Sequence, residues 1–296
     1  MLLDHIDTQT HAVMSGERSL DQALAALDRW FEEHADTLSE GERQAFSAAL
    51  DRESSEDDRS LIDSVLKLHT TRLLYRYDNR KQPPPEEESN PYTIARDAFS
   101  AALKRSERGI NEARIDIAIA NAHQLLGDQS ANRRWLDTAL NRLPDLAAIN
   151  LADLAEKIPP MPPPKMGRWQ RIGLKVMGVD LSRLADDNRQ AFSKLAHMQI
   201  NQLVILAHLV GISLEAIKER QLSKRAFRIA AHLIVRYEGL TDQEPDQLLD
   251  IAESLLHPER DAALILARQA YHICATAGDE ECMVRAKAVL EQGGQD

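Results

Sequence analysis

The residues of this chain best suited to nucleophilic or metal chemistry are its ten histidines and two cysteines. Their spacing points to no site. His197 and His208 stand eleven residues apart, three helical turns, so one helix face can hold both. Neither has a cysteine or carboxylate at ligand spacing, and a zinc site needs three or four converging donors. Glu253 and His257 lie four apart, the spacing of an ordinary surface pair on a helix. Cys274 and Cys282 form no CxxC motif and no disulfide framework; they are expected as reduced core thiols, although on facing helices of a hairpin they would approach each other. Gly173 and Gly178 lack the Gly-Lys-Ser/Thr ending of a phosphate loop, and no HExxH occurs. The acidic run Glu53–Asp58 suggests calcium, but the loop from Asp51 lacks the central glycine and closing glutamate of an EF-hand. No catalytic, cofactor or metal residue is assigned, and a non-enzymatic protein is expected.

Charge supplies the next signal. The chain carries −11 overall, which argues against broad nucleic-acid affinity, yet residues 160–240 carry +7. Inside that segment Trp169, Ile172 and Val176 fall on one side of a possible helix, with Arg168, Arg171 and Lys175 beside them. A basic stripe along an apolar one fits an acidic protein groove or an anionic membrane surface. It equally fits a segment folded back on its own acidic chain.

The elements that would carry these residues are helical. Alanine and leucine dominate the apolar residues, only 4% of residues are aromatic, and alternating β-branched runs are absent. Proline breaks the pattern at 83–85 with Pro91, and at 159–160 with 162–164. These joints divide the chain into an acidic helical region 1–80, a linker 81–91, a hairpin region 92–157, a spacer 158–165 and a helical lobe 166–296. Ser19 is placed to cap a helix with Leu20, Leu24, Leu27 and Phe31 on one face, and Trp30 beside them. Ser39 and Glu42 have capping-box spacing, and Leu61, Val65, Leu68 and Leu73 mark a further helix. Later helices are expected over Leu181–Val210, broken at Gly211, and over Ser223–Glu238, ended by Gly239. Thr241 with Glu244, then Pro245, announces another, and Gly278-Asp279 a turn. The N-terminus lacks a secretory signal, and the most apolar stretch, Leu203–Ile212, is ten residues, so a cytoplasmic protein is expected.

One hairpin is more specific. Ala113–Leu126 and Ser130–Leu143 flank a Gly127-Asp128 turn, with Pro144 set to close the second helix. Ala120 is small at the helix crossing, Ile119 stands at a leucine position, and Leu136, Ala139 and Leu140 give the second helix an apolar face. This 34-residue window resembles a tetratricopeptide repeat, with departures: Asp116 at its tryptophan position, His123 at its tyrosine position, and Asn132 where alanine is usual. No comparable unit lies 34 residues before or after it. The resemblance implies an irregular, tetratricopeptide-like α-solenoid or two helical lobes, in which the inner face of the first helix binds peptide. Here Arg114, Asn121 and Gln124 would line that face.

A second resemblance covers about sixteen residues. Ala207, Gly211, Ile212 and Ile217 have the spacing of a bacterial helix-turn-helix, with Ser213 as cap and Lys218, Arg220, Lys224 and Arg225 placed to meet phosphates. Glu215 and Glu219 would oppose DNA. The expectation is therefore an all-α adaptor, scaffold or assembly factor that binds another protein through an acidic surface or a peptide. The alternative is a nucleic-acid-binding regulator using 206–225.

Overall fold

The computed structural model describes residues 1–50, 58–80, 90–160, 181–237 and 243–293. Among them every regular element is helical and no strand occurs. The protein is all-α. The chain divides into two compact units, Met1–Glu86 with Glu112–Ala139, and Glu87–Asn111 with Leu140–Asp296. One boundary, between residues 86 and 87, falls in the linker 81–91; the others fall inside the hairpin region 92–157, which contributes to both units. The long helices α5 (Pro91–Leu125) and α6 (Gln129–Ala147) each contain a boundary.

The first unit holds α1 (Leu2–Met14), α2 (Leu20–His34), α3 (Glu40–Leu50), α4 (Asp58–Arg80) and the adjoining halves of α5 and α6. Ser19 caps α2 reciprocally with Gln22, and Leu20, Leu24, Leu27 and Phe31 are all buried. Ser39 and Glu42 exchange the same pair of bonds ahead of α3. The core joins Leu2, Ile6, Leu20, Leu27, Ile62, Leu66 and Ile119. Helix α4 departs in part from its expected stripe: Val65 is buried as expected but Leu68 is exposed, and Ile62, Leu66, His69 and Arg72, outside the stripe, are buried. A stripe chosen for its apolar residues missed a face whose polar members are buried against partners.

The second unit holds α7 (Leu151–Glu156), α8 (Leu181–Ala216), α9 (Arg220–Arg236), α10 (Pro245–Leu255), α11 (Arg260–Ala277) and α12 (Glu280–Gly293), with the remainder of α5 and α6. Pro91 is the first residue of α5 and Pro245 of α10, positions where the missing N–H is not needed. Pro144 does not close α6; the helix continues to Ala147 because Leu143 and Leu146 are buried, Leu146 against Gly109. One local core joins Tyr92, Phe99, Leu151, Ala155, Ile158 and Ala196, with Phe192 packed edge-on to Phe99 at 5.2 Å.

The largest correction concerns Gly211. It lies inside α8, not at a turn, and its bare Cα accommodates the ring of Phe227, whose Cδ1 would stand 2.7 Å from an added Cβ. The turn comes at Lys218, with φ +65°. There Glu219 N–H bonds to the Leu214 carbonyl at 2.9 Å and Lys218 N–H to Glu215 at 2.8 Å, the Schellman closure. The same two bonds close α5 around Gly127, and the longer one closes α11 around Gly278. A helix-turn-helix hinged at Gly211 is therefore absent. Cys274 and Cys282, expected as thiols, are joined as a disulfide across the Gly278 turn, with Cα atoms 5.9 Å apart. Gly239, Thr241, the Glu53–Asp57 part of the acidic run, and Pro83–Pro85 with the spacer prolines 162–164 lie outside the described residues.

Candidate functional site

In the first unit α4 presents His69, Arg72 and Arg76 on one side, spaced three and four residues. Helix α5 presents Glu112, Asp116, Ala120 and His123 at spacings of four, four and three. The two rows meet. Arg76 Nε donates to Glu112 Oε1 at 3.1 Å, and Arg72 Nη1 donates to Asp116 Oδ1 at 2.7 Å. Arg72 Nη2 also donates to His69 Nδ1 at 2.7 Å, so that nitrogen must accept. His69 Nε2 therefore carries the proton, which it donates to Asp28 Oδ1 on α2 at 2.8 Å. Geometry alone selects one neutral tautomer.

This seam is dry: Asp116 is 0% exposed, His69 3% and Arg72 8%. Burial pushes the His69 pKa down, reinforced by Arg72, and together these outweigh the Asp28 hydrogen bond. Burial raises the Asp28 carboxyl, but the bond from His69 and the nearby arginines win and hold it below its ordinary value. At the other end Asn132 Nδ2 of α6 donates to the Ala120 carbonyl at 2.8 Å, and His123 Nε2 lies 3.3 Å from Asp21 Oδ1. Asp21 also accepts from Trp135 Nε1 at 3.2 Å and from Arg134. Its carboxyl is lifted by burial and lowered further by those bonds, for a net depression. Asp116, His123 and Asn132, the three departures from the repeat pattern, are thus all buried polar positions. In the seam the two α5 carboxylates, Asp116 and Glu112, each face an arginine of α4, while Asp28 takes its bond from neutral His69.

The sequence-selected residues fall elsewhere. Arg114, Asn121 and Gln124 are exposed and share one side of α5 with Leu125, which is 62% exposed. Arg168, Trp169, Arg171 and Lys175 lie outside the described residues. Lys218 occupies the α8–α9 turn; Arg220, Lys224 and Arg225 belong to the first turns of α9, where Arg228, His232 and Arg236 extend the exposed basic row. Arg228 is paired with Glu259. Glu253 pairs with Arg285 Nε at 2.7 Å; its expected partner His257 lies beyond the end of α10. His197 meets Ser193 at 3.3 Å, and His208 meets Asp250 at 3.1 Å, so the two histidines do not share a site.

Two features were not singled out in the sequence. An open groove of about 360 Å³ is lined by Ile212, Glu215, Asp250, Glu253 and Ser254. Arg285 bridges Asp250 at 2.6 Å and Glu253, and the bond to Glu253 is the chief reason its pKa is raised. The second feature is an outward apolar row on α8: Leu195, Met198, Leu209 and Ile212. Its sequence signal was available, since no Asp, Glu, Lys or Arg occurs from Leu195 to Leu214. Residues Arg189–Ala216 are in fact long and apolar enough to cross a membrane, beyond the ten residues expected, but 56% of the most apolar window is buried inside the protein. Among the described residues no group of three His, Cys, Asp or Glu side chains is placed to hold a metal ion. No family model matches the chain, and no curated protein matches it.

Proposed function

We propose that the protein is a non-enzymatic helical adaptor or scaffold, of tetratricopeptide-like type, that binds another protein. What supports the reading is the division of side chains on α5. Asp116 and His123 face inward into the seam, while Arg114, Asn121, Gln124 and Leu125 form an outward surface of mixed polar and apolar character. Such a surface suits an extended peptide, whose backbone needs donors and acceptors and whose side chains need one apolar contact. The test is recovery of a stoichiometric, nuclease-insensitive partner by the wild-type chain, repeated with Arg114→Glu, Asn121→Ala and Gln124→Ala combined. Loss of the partner with unchanged helicity is expected; undiminished recovery removes the α5 face from the proposal.

A second reading, nucleic-acid binding, rests on the exposed basic row Arg225, Arg228, His232 and Arg236 of α9. It predicts binding that collapses steeply with salt. Retention of nucleic acid and no protein would favour it over the adaptor. For the compartment we propose the cytoplasm. The Cys274–Cys282 bond is the observation against it, since disulfides persist in oxidising compartments.

A further inference from the structure

Helix α8 packs chiefly on α9, and also on α7, on α5 through Phe192 and Ala196 and on α10 through His208, leaving one side outward. That side carries Leu195, Met198, Gln202, Ile205, Leu209 and Ile212, at spacings of three, four, three, four and three. Leu195, Met198, Leu209 and Ile212 are 36–48% exposed, unusual for large aliphatic side chains grouped on one helix. The 3-4 alternation is the seam of a helix pair, in which apolar side chains interlock along a shallow crossing. The row is also palindromic. About the point between Leu203 and Val204, Leu195 stands opposite Ile212, Met198 opposite Leu209, and Gln202 opposite Ile205.

We propose that this row is a self-association face, at which two copies of the chain pack their α8 helices antiparallel about a two-fold axis. An isologous contact requires that if residue i meets j, then j meets i, and the palindrome meets that condition with apolar residues at both ends. Charge agrees. Lys194 is exposed at the N-terminal end of the row, and Glu215 is exposed beside Ile212 at the other, next to Asp250 and Glu253, whose charge Arg285 already offsets. Antiparallel pairing carries each Lys194 toward Glu215 of the second copy; parallel pairing sets lysine against lysine. A membrane fits less well, because anionic lipid repels the exposed Glu215 that flanks Ile212. The contact does not involve the α5 face and stands apart from the adaptor reading.

The test uses the full chain. Sedimentation across a wide concentration range is expected to show monomer passing to dimer. Leu209→Lys should weaken association by at least about tenfold, since a cation replaces a buried aliphatic contact. Circular dichroism checks that each variant remains folded. Lys194→Glu should weaken the dimer, and adding Glu215→Lys should recover part of the loss. Variants with one added cysteine, beside the Cys274–Cys282 bond, fix the orientation: Met198→Cys mixed with Leu209→Cys should give an oxidised heterodimer, and neither should cross-link alone. Like positions would lie about 16 Å apart along the pair, beyond disulfide reach. Cross-linking of Met198→Cys with itself would overturn the antiparallel arrangement. A chain that stays monomeric would overturn the proposal, whether it co-sediments with anionic phospholipid vesicles, as a membrane face would, or ignores them.

Discussion

Arg72 holds the most consequential contacts in the first unit, since it bonds Asp116 and His69 together in a place water does not reach. Arg72→Leu removes the guanidinium from a fully buried carboxylate, and breaking such a pair costs roughly 3–5 kcal/mol. Urea unfolding should read that loss, and Arg72→Leu with Asp116→Leu should lose clearly less than the single variant. His69 sets a pH dependence. Its folded pKa lies below the ordinary 6.5, chiefly through burial, so the unfolded chain takes up a proton that the folded chain resists. Stability should be full above about pH 6.5 and decline as the pH falls from there toward the depressed folded value. His69→Gln should shallow that decline, leaving the part due to His5, which burial also lowers. Identical slopes in the two proteins would rule His69 out. Asp28, held low, adds a separate loss at more acidic pH as it protonates.

The α8–α9 connection shows how a helix end is chosen. Glycine marks the turns at Gly127 and Gly278, so Gly211 suggested a third, yet the left-handed residue there is Lys218. Gly211 serves packing instead, and Phe227, fully buried, has no room to yield. Two substitutions separate these roles. Lys218→Gly should raise stability by roughly 1 kcal/mol, by relieving the left-handed conformation. Gly211→Ala gains helix propensity but should lose about 1–3 kcal/mol to overpacking, and Phe227→Leu should return part of it. Thermal unfolding checks both; a more stable Gly211→Ala would mean the ring shifts freely. Capping was legible in the sequence because it is local: Ser19 and Ser39 each needed only the next three residues. The buried face of α4 was not, because His69 and Arg72 are buried only by virtue of partners 41 and 44 residues away.

For the molecule as a whole the covalent link between α11 and α12 matters beyond its size. It closes a loop between cysteines eight residues apart, and loop-closure entropy gives it about 2.5 kcal/mol. Thiol titration of the denatured, unreduced chain should find none free, and prior reduction should release two and lower the unfolding temperature. Two free thiols in chain purified from the cytoplasm without reductant would show that the bond does not form there. The charge map acts on the same level. A molecule of net −11 with an exposed basic row on α9 should bind nucleic acid weakly at most, with little affinity left at physiological salt.

The helical class, the Ser19 and Ser39 caps and the Gly127 and Gly278 turns followed from composition and from contacts within four or five residues, energies that a linear reading can count; Ser213, expected as a cap, lies inside α8. The candidate site did not. Asp116, His123 and Asn132 read as departures from a repeat until α4, α2 and the α5 backbone supplied their partners, and the α8 row drew no notice until folding left one side of it uncovered. A side chain's type sets what it needs for burial, but which side chains are buried together depends on long-range packing that local spacing does not encode.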